Sequence, residues 1–328
     1  MADREDEKAD RFGSEVSGGY AVSFSTGRTG AMSGGLEFKC PSCGSSDAYA
    51  PKDRLAIICA ACKHIQSATA GTVMHGSRLP LSSWLLATWL LVTDKRGISA
   101  KYLERTLGVS YETAYMMLQR LRTAMVNPGR LKLTGRVEVD ESYIGGPEKG
   151  KRGRGAAGKN LVVGAVEVRE WTSPKTGKVS TRAGRVRFRH IDNAIQPVLV
   201  DFALDTIEGG SKVVTDGFEA YHILPQFGYS HGVESTARGM KQDDVLRHYH
   251  RAVANLKTWI KGTFHGRIEG KHLQGYLNEF AFRFNRRHNL AAAFQTILGL
   301  APKVTATTYA EVYAVKAGKS PPRARRRP

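Results

Sequence analysis

Apolar residues recur at helical spacing across residues 78–126, and this pattern predicts a helical region. Trp84, Leu85, Trp89 and Leu90 form one apolar stripe. Seven further residues continue the stripe: Tyr102, Leu103, Leu107, Tyr115, Met116, Leu118 and Leu121. The sequence Asn-Pro-Gly at 127–129 cannot continue a helix, so the helical region is predicted to end there.

A pattern typical of a mixed sheet follows residue 130. Apolar and alternating runs predict strands at 136–144, 161–168, 185–190, 212–216 and 229–234. Helical patterns separate or follow these strands at 192–204, 218–224, 243–261 and 271–298. Three antiparallel strands followed by alternating strands and helices indicate an α/β fold, with helices on the faces of a mixed sheet.

These patterns divide the chain into five segments. Residues 1–35 are polar and rich in Gly and Ser, which predicts a disordered lead. Residues 36–67 contain all four cysteines, and residues 78–126 form the helical region. The mixed sheet is predicted to occupy 130–298, and 299–328 form a basic, Pro-rich tail.

The charge balance favours nucleic acid as the partner. Lys and Arg number 49 against 30 Asp and Glu, a formal net charge of +19. No apolar run reaches the roughly 20 residues that a membrane span needs, and the acidic, polar start does not resemble a signal peptide. We therefore expect a cytoplasmic, nucleoid-associated protein that binds double-stranded DNA.

Two CxxC pairs predict a metal-binding module. Cys40 and Cys43 form one pair, and Cys59 and Cys62 form the other. Paired knuckles at this spacing are typical of a zinc ribbon, in which four thiolates hold one structural Zn²⁺ tetrahedrally. The alternative is a set of buried or redox-active cysteines. Zinc is favoured because so short a segment cannot bury a sufficient core without a metal.

The helical region contains a pattern that resembles a helix-turn-helix. A first helix is predicted to end at Leu107, Gly108 permits the turn, and Ser110 can cap a second helix that starts at Tyr111. In this motif the second helix usually enters the major groove of DNA. The alternative is a plain helical hairpin with a solvated basic face.

Basic residues in two places are candidate DNA contacts. Arg120 and Arg122 lie on the second helix of this pattern. Lys151, Arg152 and Arg154 crowd a Gly-rich stretch between two predicted strands, where their charges can settle on phosphates. The alternative for the second group is a solvated hairpin tip.

Two aspartates end two predicted strands. Strand alternation places Asp140 on the same face as Glu138. Asp216 ends a second apolar strand and is followed by Gly217. If the strands are neighbours, the two carboxylates can hold divalent ions for phosphoryl transfer. An aspartate of this kind taken alone is more often a turn residue or a helix cap than a metal ligand.

The motifs around these aspartates resemble those of a known family. The first stretch reads VDESYIGG and is followed, after the basic loop, by LVVGAVE; later come TDGFEAY and GTFHGRIEGKHLQGYLNEFAFRFNRR. Together they resemble DDE-type insertion-sequence transposases of the ISXO-two-like branch. The resemblance covers about residues 36–298 and implies an RNase H-like fold, two Mg²⁺ or Mn²⁺ ions, and Asp140 and Asp216 as catalytic metal ligands.

The third catalytic position departs from the family pattern. The family often has Glu there with Lys seven residues later, and alignment on Lys257 places His250 at the Glu position. Seven residues advance a helix by roughly 700°, so the two side chains share a face. A neutral imidazole can ligate a metal. Asn255 is a rival third ligand, although it lies about 140° around the helix from His250.

The predicted function is transposition. The N-terminal modules would recognise element ends, and the core would cleave and transfer strands, with Lys257 contacting DNA and the chain forming a homo-oligomer on DNA. Two alternatives stay open, namely a DNA-binding regulator with an inactive nuclease-like core and a structure-selective nuclease without strand transfer.

Overall fold

A computed structural model describes residues 39–51, 56–67, 69–127, 129–145, 160–265 and 268–300. The described residues belong to two compact units, one that ends at Arg78 and one that runs from Leu79 to Leu300. No helix in the described ranges is both long and apolar enough to cross a bilayer.

The N-terminal unit contains a small antiparallel sheet. Its strands are β1 (Ala48–Tyr49), β2 (Ala56–Cys59) and β3 (Ile65–Ser67), in the order β1-β2-β3. One cysteine knuckle precedes β1, and the other lies between the end of β2 and the start of β3. The ribbon-like arrangement agrees with the prediction from the cysteine spacing.

The second unit is built on a five-stranded mixed sheet. Its strands are β4 (Arg136–Ile144), β5 (Asn160–Thr172), β6 (Val179–Ile191), β7 (Lys212–Thr215) and β8 (Ser230–Val233). The spatial order is β6-β5-β4-β7-β8, with β4, β5 and β6 antiparallel and with β7 parallel to both β4 and β8. This arrangement confirms the predicted RNase H-like fold.

Seven helices of the described ranges surround or precede this sheet. They are α1 (Leu81–Thr93), α2 (Ala100–Leu107), α3 (Tyr111–Ala124), α4 (Gln196–Thr206), α5 (Arg247–Phe264), α6 (Gly270–Asn285) and α7 (Leu290–Leu300). The first helix packs against α7, and α3 packs against both α6 and α7. The helical region and the sheet therefore form one compact unit.

Strand alternation gives the sheet an apolar core on each face. Val137 and Val139 of β4 lie in one buried cluster together with Leu199 and Phe202 of α4. The opposite cluster contains residues of β5, β6, α5 and α6, among them Tyr249. Each side of β4 therefore contacts a different set of helices, and the side that carries Glu138 contacts α5.

Two predicted helices are divided in the structure. The apolar pattern over 271–298 continues through α6 and α7, but Asn289 interrupts it by accepting a hydrogen bond of 2.9 Å from the backbone N–H of Ala292. The segment 218–224 contains a 3₁₀ turn at Glu219–Tyr221 rather than an α-helix, and a second 3₁₀ turn follows at Leu224–Phe227, with a proline in its first turn.

Candidate active site and metal centre

The four cysteines converge on one point. Their sulfur atoms all lie within 4.8 Å of one another. The Sγ atoms of Cys40 and Cys62 are 3.5 Å apart, as are those of Cys43 and Cys59. A tetrahedral ion with sulfur ligands at 2.3 Å requires sulfur–sulfur edges of about 3.8 Å. The cluster therefore matches the donor set of a zinc ribbon and could hold one such ion.

Equivalent backbone turns shape both knuckles. The N–H of Gly44 donates to the carbonyl of Cys40 at 2.9 Å, and the N–H of Lys63 donates to that of Cys59 at 3.0 Å. Both donors have positive φ, 74° for Gly44 and 62° for Lys63. This conformation is uncommon for a lysine, so the second knuckle holds its turn against a local conformational cost.

The two predicted catalytic aspartates lie level, Asp140 within β4 and Asp216 directly after the end of the adjacent parallel strand β7. Glu138 of β4 pairs with Val214 of β7. Because the strands run in the same direction, Asp140 and Asp216 are each two residues beyond this pair, at the same end of the sheet. Neighbouring strands are about 4.8 Å apart. Asp140 is half-buried and Asp216 is exposed.

Local backbone contacts orient both aspartates. The N–H of Glu141 donates to Asp140 at 2.7 Å, and the N–H of Phe218 donates to Asp216 at 2.9 Å. Gly217 follows Asp216 with φ +96°, and a Cβ there would lie 2.9 Å from the side chain of Val233. Only glycine suits this turn, because both its conformation and the space beside β8 exclude a side chain.

The first turn of α5 lies beside both aspartates. Tyr249 is buried, and its hydroxyl donates to Ser142 at 3.2 Å. Burial, reinforced by the nearby charges of Asp140 and Asp216, raises the pKa of the Tyr249 phenol well above its ordinary value. Gly164 of β5 leaves room for this ring, since a Cβ there would lie 3.0 Å from it.

His250, the predicted third residue, follows Tyr249 on α5 and is exposed. Partial burial and the charge of Lys257 lower the pKa of His250, and the charge of Asp216 opposes them. His250 therefore lies within electrostatic reach of both Lys257 and Asp216. A lowered pKa favours the neutral imidazole, which is the form that ligates metals. Asn255 is also exposed on α5, further around the helix.

The candidate metal ligands of the active site are more widely spaced than the four cysteine sulfurs. Among the described residues, the cysteines form the only group of three or more His, Cys, Asp and Glu ligand atoms that lie within 4.8 Å of one another. The side-chain ligand atoms of Asp140, Asp216 and His250 are therefore not drawn together to that extent. Their residue types nevertheless suit hard divalent cations, which take oxygen ligands and also imidazole.

Two carboxylates fix the start of α5, and sequence reasoning gave them no role. Glu138 accepts hydrogen bonds of 2.8 Å from the backbone N–H groups of His248 and Tyr249. Glu234 accepts one of 3.3 Å from the N–H of Leu246 and also pairs with Arg136. Burial raises the pKa of Glu138 although the two N–H donors and Arg136 oppose the shift. The signal in the sequence that could have revealed this role of Glu138 was an acidic residue on the inner face of a buried strand.

The predicted DNA-contacting residues differ in how far the structure exposes them to solvent. Lys257 is exposed on α5 and Arg120 is half-buried on α3. The exposed position expected for Arg122 is wrong, because its side chain is 1% exposed and its Nε donates to Glu279 of α6 at 2.8 Å. A buried, paired guanidinium cannot contact the DNA backbone. One further set lies outside the described residues: Lys151, Arg152 and Arg154.

Comparison with known proteins identifies the sheet domain. Residues 132–285, from just before β4 to the end of α6, match the family model of the ISXO2-like transposase domain. No curated protein matches the sequence significantly. A structure titled "Mos1 transposase paired-end complex with left transposon end" is 11% identical, with 66% of this chain and 78% of that chain covered and a TM-score of 0.29.

A second structure, "Crystal structure of the Mos1 Strand Transfer Complex", is 9% identical with the same coverage, 66% of this chain and 78% of that chain, and a TM-score of 0.21. TM-scores this low do not establish a shared fold, so the identification depends on the family match. Over residues 132–285 this chain is therefore similar to the ISXO2-like transposase domain family.

Proposed function

We propose that the chain is a DNA transposase that binds the ends of an insertion sequence, cleaves them and transfers the 3′ strand ends to target DNA. The observation that carries the proposal is the placement of Asp140 in β4 and of Asp216 directly after the adjacent parallel strand β7, beside α5, in a segment that matches a transposase domain family. The strand chemistry, the metals and the partner DNA are all parts of this proposal.

Asp140, Asp216 and His250 would hold two Mg²⁺ or Mn²⁺ ions. Bound ions of this kind lower the pKa of an attacking water or 3′-hydroxyl and stabilise the leaving 3′-oxygen. The two aspartates supply the negative charge, and His250 supplies a neutral ligand. Tyr249 is buried beside the aspartates, and its hydroxyl donates to Ser142.

His250 is favoured over Asn255 as the third ligand. Partial burial and Lys257 lower the pKa of His250, while the charge of Asp216 opposes that shift. These influences support a position near both Asp216 and the helix face of Lys257. Asn255 is separated from that face by about 140° of helix rotation. Lys257 would then hold a phosphate of the bound strand next to the metal ligands.

The N-terminal modules would supply recognition of element ends. The cysteine cluster would hold one structural Zn²⁺, and the pair α2 and α3 would contact DNA through exposed parts of the turn and through Arg120. The Gly-rich segment with Lys151, Arg152 and Arg154 would contact phosphates. The net charge of +19 supports a polyanionic partner. Assembly of a homo-oligomer on DNA would bring two element ends together.

One observation keeps a second function in view. A histidine at the position where the family often has Glu supplies no negative charge, which suits a DNA-binding regulator with an inactive core. The experiment that separates the two uses DNA with the inverted repeats that flank the gene. Cleavage and joining that need Mg²⁺ or Mn²⁺ and stop with a chelator support the transposase, whereas specific binding without cleavage in either metal supports the regulator.

A further inference from the structure

A cavity lies on the helical side of the second unit, outside the candidate active site. It is lined by the start of α2, by α3, by the end of α5 and by the start of α6, and its volume is about 490 Å³. Small-molecule sites commonly have volumes of roughly 300–1,000 Å³. The cavity is therefore large enough for a single nucleobase.

Aromatic rings form one wall of this cavity. The rings of Tyr111 and Tyr115 lie 6.1 Å apart and within 18° of parallel. His272 contacts Tyr115 edge-on at 5.7 Å, and Tyr276 also lines the cavity. Tyr111 is 44% exposed, so part of this aromatic surface is open to a ligand. Flat rings of this kind stack on nucleobases.

Arg122 lines the same cavity with unused hydrogen-bond donors. Its side chain is 1% exposed, its Nε donates to Glu279, and its guanidinium lies 4.1 Å from the ring of Tyr276. Within the described residues, Nη1 and Nη2 have no hydrogen-bond partner. Buried donors normally have partners, so two unpaired donors on one buried fork indicate a ligand that accepts both.

The carboxylate beside Arg122 favours a neutral acceptor over an anion. Glu279 lies 2.8 Å from the guanidinium of Arg122 and 3.5 Å from that of Arg283, so a buried phosphate at Arg122 would also face this carboxylate. Guanine presents two adjacent neutral acceptors, O6 and N7, that match an arginine fork. Adenine presents one acceptor and one donor on the same edge, and an arginine cannot satisfy both.

Two lysines that line the cavity are exposed to solvent, where they suit the DNA backbone on either side of a bound base. Lys101 and Lys271 line the cavity, and their side chains are 60% and 49% exposed. Lys101 also pairs with Glu104, and Lys271 also pairs with Glu269. Their exposed ammonium groups can bind the phosphates on either side of a base whose ring enters the cavity.

We propose that this cavity takes up a single extrahelical guanine of bound DNA, stacked on the Tyr111 and Tyr115 wall and read by the fork of Arg122. The inference rests on the proposed function, because it requires a DNA partner. It keeps Arg122 as a DNA contact but places that contact inside the cavity, whereas the sequence suggested an exposed face of α3.

The test compares duplexes of one sequence that carry an unpaired guanine, an unpaired adenine or no unpaired base. An unpaired base is chosen because extrusion from a paired duplex costs additional free energy. Binding to the full chain is measured by fluorescence anisotropy at fixed salt. The guanine duplex should bind on the order of tenfold more tightly than the adenine duplex.

Variants separate stacking from base reading. Tyr111→Leu should bring both bulged duplexes to the affinity of the paired duplex, whereas Tyr102→Leu, an equally exposed tyrosine outside the cavity, should leave all affinities unchanged. Arg122→Lys keeps a cation beside Glu279 and should remove the preference for guanine over adenine. If Arg122→Lys unfolds in a thermal melt, the comparison of Tyr111→Leu with Tyr102→Leu still tests the proposed site.

The outcomes also separate this inference from the transposase proposal. Salt-dependent binding of all three duplexes with equal affinity overturns the guanine site and leaves the transposase proposal intact. Preference for both bulges alike, with no effect of Tyr111→Leu, likewise overturns the site. Failure to bind any duplex overturns the proposed function and this inference together.

Discussion

Glu138 accepts a hydrogen bond of 2.8 Å from the backbone N–H of Tyr249 and so connects the strand of Asp140 to the helix of His250. The carboxylate is buried at the N-terminal end of α5, where the helix dipole favours negative charge. Because Asp140 is two residues further along β4, any shift of α5 relative to β4 would also separate His250 from Asp140. Glu138 is thus a positioning residue for the candidate active site.

Replacing Glu138 should destabilise the second unit. Glu138→Ala removes the acceptor of two buried N–H groups, and we expect it to lower the free energy of unfolding by about 2–4 kcal/mol. Glu138→Gln keeps an acceptor oxygen and should cost less. Denaturant unfolding followed by circular dichroism measures both, with the exposed Glu208→Ala as control. Wild-type stability in Glu138→Ala would show that α5 is held in another way.

Glu167 should make the free energy of unfolding depend on pH in the acid range. Burial raises the pKa of Glu167, but hydrogen bonds from Arg185 and from the N–H of Thr134, with the charges of Arg185 and Arg169, outweigh burial and lower it to about 2 from an ordinary value of 4.5. This stabilisation is fully present above pH 4.5 and is lost as the pH falls towards 2. It amounts to at most about 3 kcal/mol.

Glu167→Gln should therefore lower the free energy of unfolding at pH 7 by about 1–3 kcal/mol. The difference from wild type should shrink steadily below pH 4.5. Glu170→Gln, at an exposed position of the same strand, is the matched control and should behave like wild type at every pH. A difference that stays constant or grows in acid would contradict the assignment.

The cysteine cluster should bind one zinc ion per chain. Cys43→Ser removes one of four ligands, so purified protein should lose its zinc and the N-terminal unit should become sensitive to protease. The unit from Leu79 to Leu300 should keep its melting transition. Ser42→Ala, which leaves all four sulfurs in place, should retain zinc. Freshly purified wild-type protein without zinc by metal analysis would refute the site.

Local patterns in the sequence predicted much of the second unit. The bounds of β4 match the prediction, and α3 begins after Ser110, whose hydroxyl accepts the N–H of Thr113 at 3.3 Å. Gly108 takes the expected left-handed conformation with φ 64°. These features depend on residues within a few positions of each other, so spacing and residue type suffice to identify them.

Features that depend on distant partners were not predictable. Arg122 looked like a surface cation because only the fold brings Glu279 of α6 beside it. The predicted start of α5 at residue 243 was early, since Leu246 has φ 41° and the helix begins at Arg247 under the carboxylates of Glu138 and Glu234. No periodicity within α5 carries that information.

The third catalytic position should belong to His250. His250→Ala should lose most strand cleavage, because two aspartates alone leave one ion short of a ligand. His250→Glu should retain activity, since a carboxylate also binds Mg²⁺. Asn255→Ala is the control on the same helix and should cleave like wild type. An inactive Asn255→Ala beside a fully active His250→Ala would make Asn255 the third ligand instead.

The most direct test of the account is strand cleavage by Asp140→Asn on DNA that carries the flanking inverted repeats, with Mg²⁺ or Mn²⁺. Asp201→Asn is the control, because Asp201 is an exposed aspartate on α4 that pairs with Arg189. The account predicts that Asp140→Asn binds the ends as tightly as wild type but does not cut them, while Asp201→Asn binds and cuts normally. Cleavage by Asp140→Asn at the wild-type rate would contradict it.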